Sequence, residues 1–221
     1  MKMQAKSTIL AFDTSAANCA AALLRDRQLV ASRHEETGRG QAERLFPMLE
    51  EVLAEAGLWW SDLDAIGVGI GPGNFTGIRI AVSAARGLSL SMGIPAIGVS
   101  VFEALAFGSN GTVIASAAAP RGQVYAAVVG HAGAGPVLGD PLNVDLELPA
   151  RERPVCIGEA ADTFANRFSG SVADPAYPLA EAIARVALER ADGAGHGRPS
   201  PLYIRSADAA PASDPPPVIL P

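Results

Sequence analysis

Hydrophobic and polar positions alternate in blocks that mark out the elements. Residues 7–13 ("STILAFD") are a short apolar run ending in an acid, the pattern of a buried strand. "CAAALLR" (19–25) and "QLVASRH" (28–34) follow, parted only by the turn pair "DR", which predicts a three-stranded antiparallel meander. In "GQAERLFPMLEEVLAEAG", Leu45, Leu49, Val52, Leu53 and Ala56 recur at helical spacing, and Gly57 offers a C-terminal cap; Pro47 sits in the first turn or kinks the helix. "DAIGVGIG" (64–71) is a further buried strand, Thr76 to Met92 a helix, and "IPAIGVS" (94–100) another strand. After residue 110, "TVIASAA" (112–118), "VYAAVVG" (124–130) and a strand near 137–145 repeat the meander in worn form, and 178–191 is read as the amphipathic helix of that second lobe.

The order βββαβα, followed by another strand, resembles the RNase H-like half of actin-like and sugar-kinase-like (ASKHA) proteins. An α/β fold of two lobes follows as the expectation, the second lobe reduced: residues 1–107, then 108–206. The tail 207–221, with its prolines, is expected to be disordered.

Composition narrows the function classes. Apolar residues make up 49% of the 221, much of it alanine, which suits closely packed elements. A net charge of −6, from 17 basic and 23 acidic residues, argues against strong nucleic-acid binding by the chain alone. Cys19 and Cys156 read as reduced core residues, with no CxxC pair for zinc or redox work. With no signal-like stretch and no run long enough to span a membrane, the expected location is the cytoplasm.

Chemistry concentrates around "GIGPGNFTGIRIAVSAARG" (69–87). Gly71, Gly73 and Gly77 supply backbone freedom, and Asn74 or Thr76 can cap the helix behind them. A helix start with free amides attracts anions, so the loop fits a phosphate cradle; it fits a plain strand-to-helix turn as well, since it is neither GxxxxGK[ST] nor GxGxxG. The helix itself is small or apolar nearly all round, with only Arg79 and Arg86 charged. It is therefore expected to be covered on two sides, one by its own sheet and the other by the second lobe or by another protein.

At these residues the chain resembles the TsaB (YeaZ) family, the non-catalytic paralogues of TsaD in threonylcarbamoyladenosine synthesis on tRNA. The resemblance rests on "ILAFDTSAANCAAALL", "QAERLFPMLEEVL", the GPGxFTGxR motif (Gly71, Pro72, Gly73, Phe75, Thr76, Gly77, Arg79) and "IPAIGVSVFEALA", and returns at "RGQVYAAVV" and "PLYIR". It implies a scaffold subunit, a pseudoenzyme without catalytic or metal-binding residues. Such a subunit would dimerise with TsaD through helices 41–56 and 76–92 and be joined by the ATPase TsaE. Candidate contact residues are then Leu45, Leu49, Gly73, Phe75, Thr76, Arg79, Ile80, Ser83, Ala84 and Gly87. ATP or ADP and metal would belong to the partner subunits, tRNA would be met indirectly, and self-association of the chain alone stays open.

The residues agree with a scaffold. TsaD carries an HxxxH metal pair, but the matching positions here are Val101 and Leu105, and His34, His131 and His196 are scattered. Asp13 ends the first strand where actin-like folds orient magnesium, which makes it the candidate nucleotide-facing acid; the simpler reading is a cap on its own turn. Where the family commonly has a second acid the chain has Ala118, and Gln41 replaces a common histidine. Glu103, in the segment matching the metal pair, receives no role. The alternative, a self-sufficient ATP-dependent carbamoyltransferase or metallopeptidase-like enzyme, needs ligands these positions do not provide; a kinase-like phosphotransferase needs a fuller second lobe.

Overall fold

A computed structural model describes residues 7–131, 135–150, 152–191 and 197–204. The tail 207–221 and His196 lie outside the described residues. The first sheet has the order β3-β2-β1-β4-β5. β1 (Thr8–Asp13), β2 (Asn18–Arg25) and β3 (Gln28–Glu36) form the meander, and β4 (Ala65–Gly69) and β5 (Ala96–Val99) run parallel to β1. The "DR" pair turns as expected: Asp26 and Arg27 both hold positive φ, 52° and 69°, as a tight hairpin requires. Helices α1 (Gln41–Glu55) and α2 (Phe75–Met92) cover one face of this sheet.

The second sheet repeats the plan. β6 (Val113–Ala118) pairs antiparallel with β7 (Val124–Val129), β7 with β8 (Val137–Gly139), and β6 runs parallel to β9 (Val155–Gly158), beside β10 (Ser171–Val172). Taken from the other edge, the order β8-β7-β6-β9-β10 matches that of the first sheet. Three features make the second lobe smaller: its edge strands have three and two residues, the chain between β8 and β9 forms no helix among the described residues, and α4 (Ala161–Phe168) is short. This is the α/β actin-like architecture expected from the sequence.

Alternation along the central strands shows what each face covers. Leu10 and Phe12 of β1 point to the side where Leu45, Met48, Leu49, Val52, Ile78, Ala81 and Ala85 pack. Ile9 and Ala11 point to the opposite side, where they meet Ala182, Ile183, Val186 and Ala187. Those four belong to α5 (Leu179–Ala191). This corrects the sequence reading: the helix at 178–191 packs on the first sheet, not on the second lobe that precedes it. Gly67 on β4 allows the approach, because a Cβ there would press on Ala11, Ile183 and Ala187. In return α3 (Val101–Ala106), which follows β5, packs through Phe102 and Ala106 on Val113, Ala115 and Ile157 of the second sheet. Each lobe is closed by a helix that leaves the other lobe's last strand.

Glu103 helps to join these two helices. Its carboxylate accepts from Ser100 N–H (2.8 Å) and Ser100 Oγ (2.7 Å), closing a capping box at the start of α3, and it also pairs with Arg190 of α5. Burial alone would raise its pKa, but the Ser100 and Arg190 contacts outweigh that and hold it below the ordinary carboxylate value.

Candidate functional site

The glycine loop is built for close approach to the turn after β1. Gly73 and Gly77 sit against the carbonyls of Ser15 and Thr14, and a methyl at either position would fall inside the van der Waals shell of those oxygens. Asn74 N–H donates to the Ser15 carbonyl, and Thr14 Oγ1 donates back to Gly77 O at 2.7 Å. Asn74 is the cap, its Oδ1 accepting from Gly77 N–H at 2.9 Å, whereas Thr76 is exposed. The chain itself thus takes up part of what an anion would seek at this helix start. Gly77 N–H is held by Asn74, and the backbone of Thr14 and Ser15 lies against Gly73 and Gly77.

Asp13 is fully buried at the end of β1. Its Oδ1 accepts from Ser15 N–H (2.9 Å) and Ser15 Oγ (2.8 Å), so it does cap its own turn. Its Oδ2 occupies the space a Cβ on Gly69 would need and has no hydrogen-bond partner among the described residues. Burial pushes its pKa up, and the two bonds from Ser15 offset this only in part.

The two-sided character of α2 resolves into rows. Gly77, Ile78, Ala81, Val82 and Ala85 are buried against the sheet. Thr76, Ser83 and Gly87 lie outward, with Leu90 (83% exposed) continuing the line, and Ile80 and Ala84 are half-buried at its border. On α1 two candidate contact residues need correction: Leu45 and Leu49 are 1% and 0% exposed and belong to the core. Their helical spacing marks the inward stripe; outward, α1 presents Ala42, Glu43, Phe46 (43% exposed), Pro47 and Glu50. Glu51 and Glu55 are tied on the β3 side, Arg33 meeting Glu55 at 3.0 Å and Arg44 bridging Glu51 and Glu35.

Phe75, Arg79 and Gly73 lie at another place, the mouth of a cleft between the lobes. Arg79 stacks on the Phe75 ring (3.8 Å to its centroid) and donates through Nε to the Tyr203 hydroxyl at 3.0 Å, while Phe75 and Tyr203 rings meet at 5.1 Å. The segment 197–204 is thereby laid along the first lobe, with Leu202 N–H donating to Ile70 O and Arg86 Nε to Pro199 O. Sequence reasoning missed this strap, although "PLYIR" marked it. Val101 is buried at the cleft floor and Leu105 packs beside the second sheet's core. Among the described residues, no group of three or more His, Cys, Asp or Glu side chains could hold a metal ion, and no helix is long and apolar enough to cross a membrane.

Comparison with known proteins agrees with this architecture. The family model for TsaD, tRNA N6-adenosine threonylcarbamoyltransferase, matches residues 29–135. The tRNA threonylcarbamoyladenosine biosynthesis protein TsaB of Escherichia coli is 39% identical over 122 residues, 53% of this chain and 52% of that protein. An uncharacterized protein of Mycobacterium tuberculosis, Rv3421c, is 32% identical over 212 residues, 93% of this chain and 95% of its own length. A crystal structure of a protein with similarity to peptidase YeaZ from Pseudomonas aeruginosa superposes with a TM-score of 0.72 at 30% identity, covering 90% of this chain and 100% of that one. By its glycine-loop sequence, its paired five-stranded sheets and these relatives, the chain belongs to the TsaB (YeaZ) family.

Proposed function

We propose that this chain is a non-catalytic subunit in the synthesis of threonylcarbamoyladenosine on tRNA, acting by dimerising with a TsaD-type transferase. The modified base would be the adenine next to the anticodon in tRNAs reading A-starting codons. The observation that carries the reading is the outward row of α2, Thr76–Ile80–Ser83–Gly87–Leu90, beside Phe46 and Pro47 of α1: small or apolar side chains where a surface helix ordinarily turns charges to water. Small residues let a partner helix approach closely, and the exposed Phe46 supplies an anchor.

The chemistry of the chain's own residues supports the absence of catalysis. The positions that match a metal pair in TsaD are aliphatic and packed, and Asp13 is fully buried with one carboxylate oxygen in the space a Cβ on Gly69 would need. ATP or ADP and metal then belong to the partner subunits, the TsaE-type ATPase joins the pair, tRNA is met through TsaD, and the assembly works in the cytoplasm. The test is a modification assay with purified components. Threonylcarbamoyladenosine should form only when this chain and its cognate TsaD are both present with the remaining components. Product formed without TsaD, or at full rate without this chain, would overturn the proposal.

A further inference from the structure

A cavity of about 590 Å³ opens where the C-terminal half of α2 meets the segment 197–199. That wall is held in place from several sides. Pro199 is buried, a Cβ on Gly98 of β5 would press on it, and its carbonyl accepts from Arg86 Nε at 2.7 Å. Further along, the same segment is fixed by Leu202 N–H on Ile70 O and by Tyr203 on Arg79. The lining combines apolar residues, among them Leu90, Ile94 and Pro95, with two guanidinium side chains, Arg86 and Arg198. Ion pairs among the described residues engage Arg33, Arg44, Arg185 and Arg190, and neither arginine of the cavity takes part in them. Ser89 of the lining spends its hydroxyl on Ile94 O at 2.6 Å.

Gly87 and Leu90 belong both to this lining and to the outward row of α2, so the cavity continues the face on which a partner docks in the reading above. In a chain of net charge −6, two arginines lining one cavity are a local reversal of sign. A guanidinium is suited to a carboxylate, which it holds through charge-assisted hydrogen bonds while its stem stays on apolar surface. The volume exceeds what one carboxylate needs, and Leu90, Ile94 and Pro95 offer apolar contact to the residue beside it. We propose that the cavity receives an acidic residue of the TsaD-type partner together with a neighbouring apolar side chain, the carboxylate meeting Arg86 and Arg198. This inference rests on the docking reading and adds a charged anchor to a face of small and apolar side chains. Such an anchor sets orientation and association rate, because a charge pair beside an apolar contact penalises every wrong register.

Arg198 is the position to change, since it is exposed, whereas replacing Arg86 would also release the Pro199 carbonyl. The full chain is titrated calorimetrically with its cognate TsaD at about 0.1 M and about 1 M salt, between which the Debye length falls from roughly 10 Å to roughly 3 Å. Arg198→Glu should raise Kd at least about tenfold at the lower salt, with an unchanged Tm, and Arg198→Ala about three- to tenfold. Both differences from the parent should shrink at the higher salt. Arg153→Glu, an exposed position in the second lobe, makes the same change in net charge and should bind like the parent. Equal weakening by Arg153→Glu and Arg198→Glu would reduce the effect to net charge and overturn the proposal. Parent-like binding by Arg198→Glu, with Gly87→Arg still defective, would leave the docking face standing and remove this cavity from it. No association of the parent chain with TsaD would instead refute the docking reading, and this inference with it.

Discussion

Replacing Gly87 by arginine separates a docking role from a folding role. Gly87 lies in the interior of α2, exposed, and a Cβ built on it meets nothing within 4 Å. A helix-interior glycine costs about 0.8–1 kcal/mol relative to alanine, and arginine is nearly as good a helix former as alanine. The free chain should therefore be stabilised by about 0.5–1 kcal/mol, which for a chain of this size is a rise in Tm of about 1–4 °C. If the outward row of α2 receives the partner, the same substitution forces a charged, bulky side chain into a closely packed, apolar contact. An unpaired charge in such a place costs about 3 kcal/mol or more, so Kd for TsaD should rise on the order of 100-fold. Differential scanning fluorimetry on the free chain and calorimetric titration with TsaD read the two effects separately. A Tm lowered by several degrees would mean that Gly87 faces inward, and unchanged affinity in a folded variant would remove this row from the contact.

Three further outcomes follow from the geometry. Gly77→Ala should destabilise the chain by about 3 kcal/mol or more, a Tm loss of roughly 6–12 °C, because the new methyl overlaps the Thr14 carbonyl in a rigid turn; a Tm within a degree of the parent would contradict this packing. For Asp13, burial raises the folded-state pKa above the unfolded 3.8, so the folded state holds the proton more tightly. Stability contributed by the protonated acid is lost as pH rises from about 4 through the folded pKa; Asp13→Asn should flatten that part of the Tm–pH profile, and parallel profiles would contradict it. Residues 7–107 expressed alone should fail to give a monomeric folded lobe, because without α5 the face made by Ile9, Ala11, Leu24, Ile97 and Val99 is bare; a monodisperse species with a sharp unfolding transition would contradict the helix exchange.

Local features were legible in the sequence because each has a local cause. The "DR" turn, the alternation of β1 and the Asn74 cap depend on neighbours a few residues away. The destination of α5 was not legible. Its apolar face announces that it is buried, but the spacing of Ile183, Val186 and Ala187 does not say which of two similar sheets receives it. The same ambiguity misled the reading of α1, where Leu45 and Leu49 carry the periodic signal because they fill the core, while Phe46 and Pro47, outside the period, reach the surface. Arg79 illustrates the remaining gap: its hydrogen bond to Tyr203 spans 124 positions, and nothing near Arg79 in sequence announces it.

The central claim, that α1 and α2 form a docking face for a TsaD-type partner, is tested most directly by size-exclusion chromatography with light scattering on the chain alone and mixed with its cognate TsaD. The account predicts a 1:1 heterodimer that displaces any self-associated form and is lost with Gly87→Arg. Two separate, folded species eluting unchanged from the mixture would contradict it.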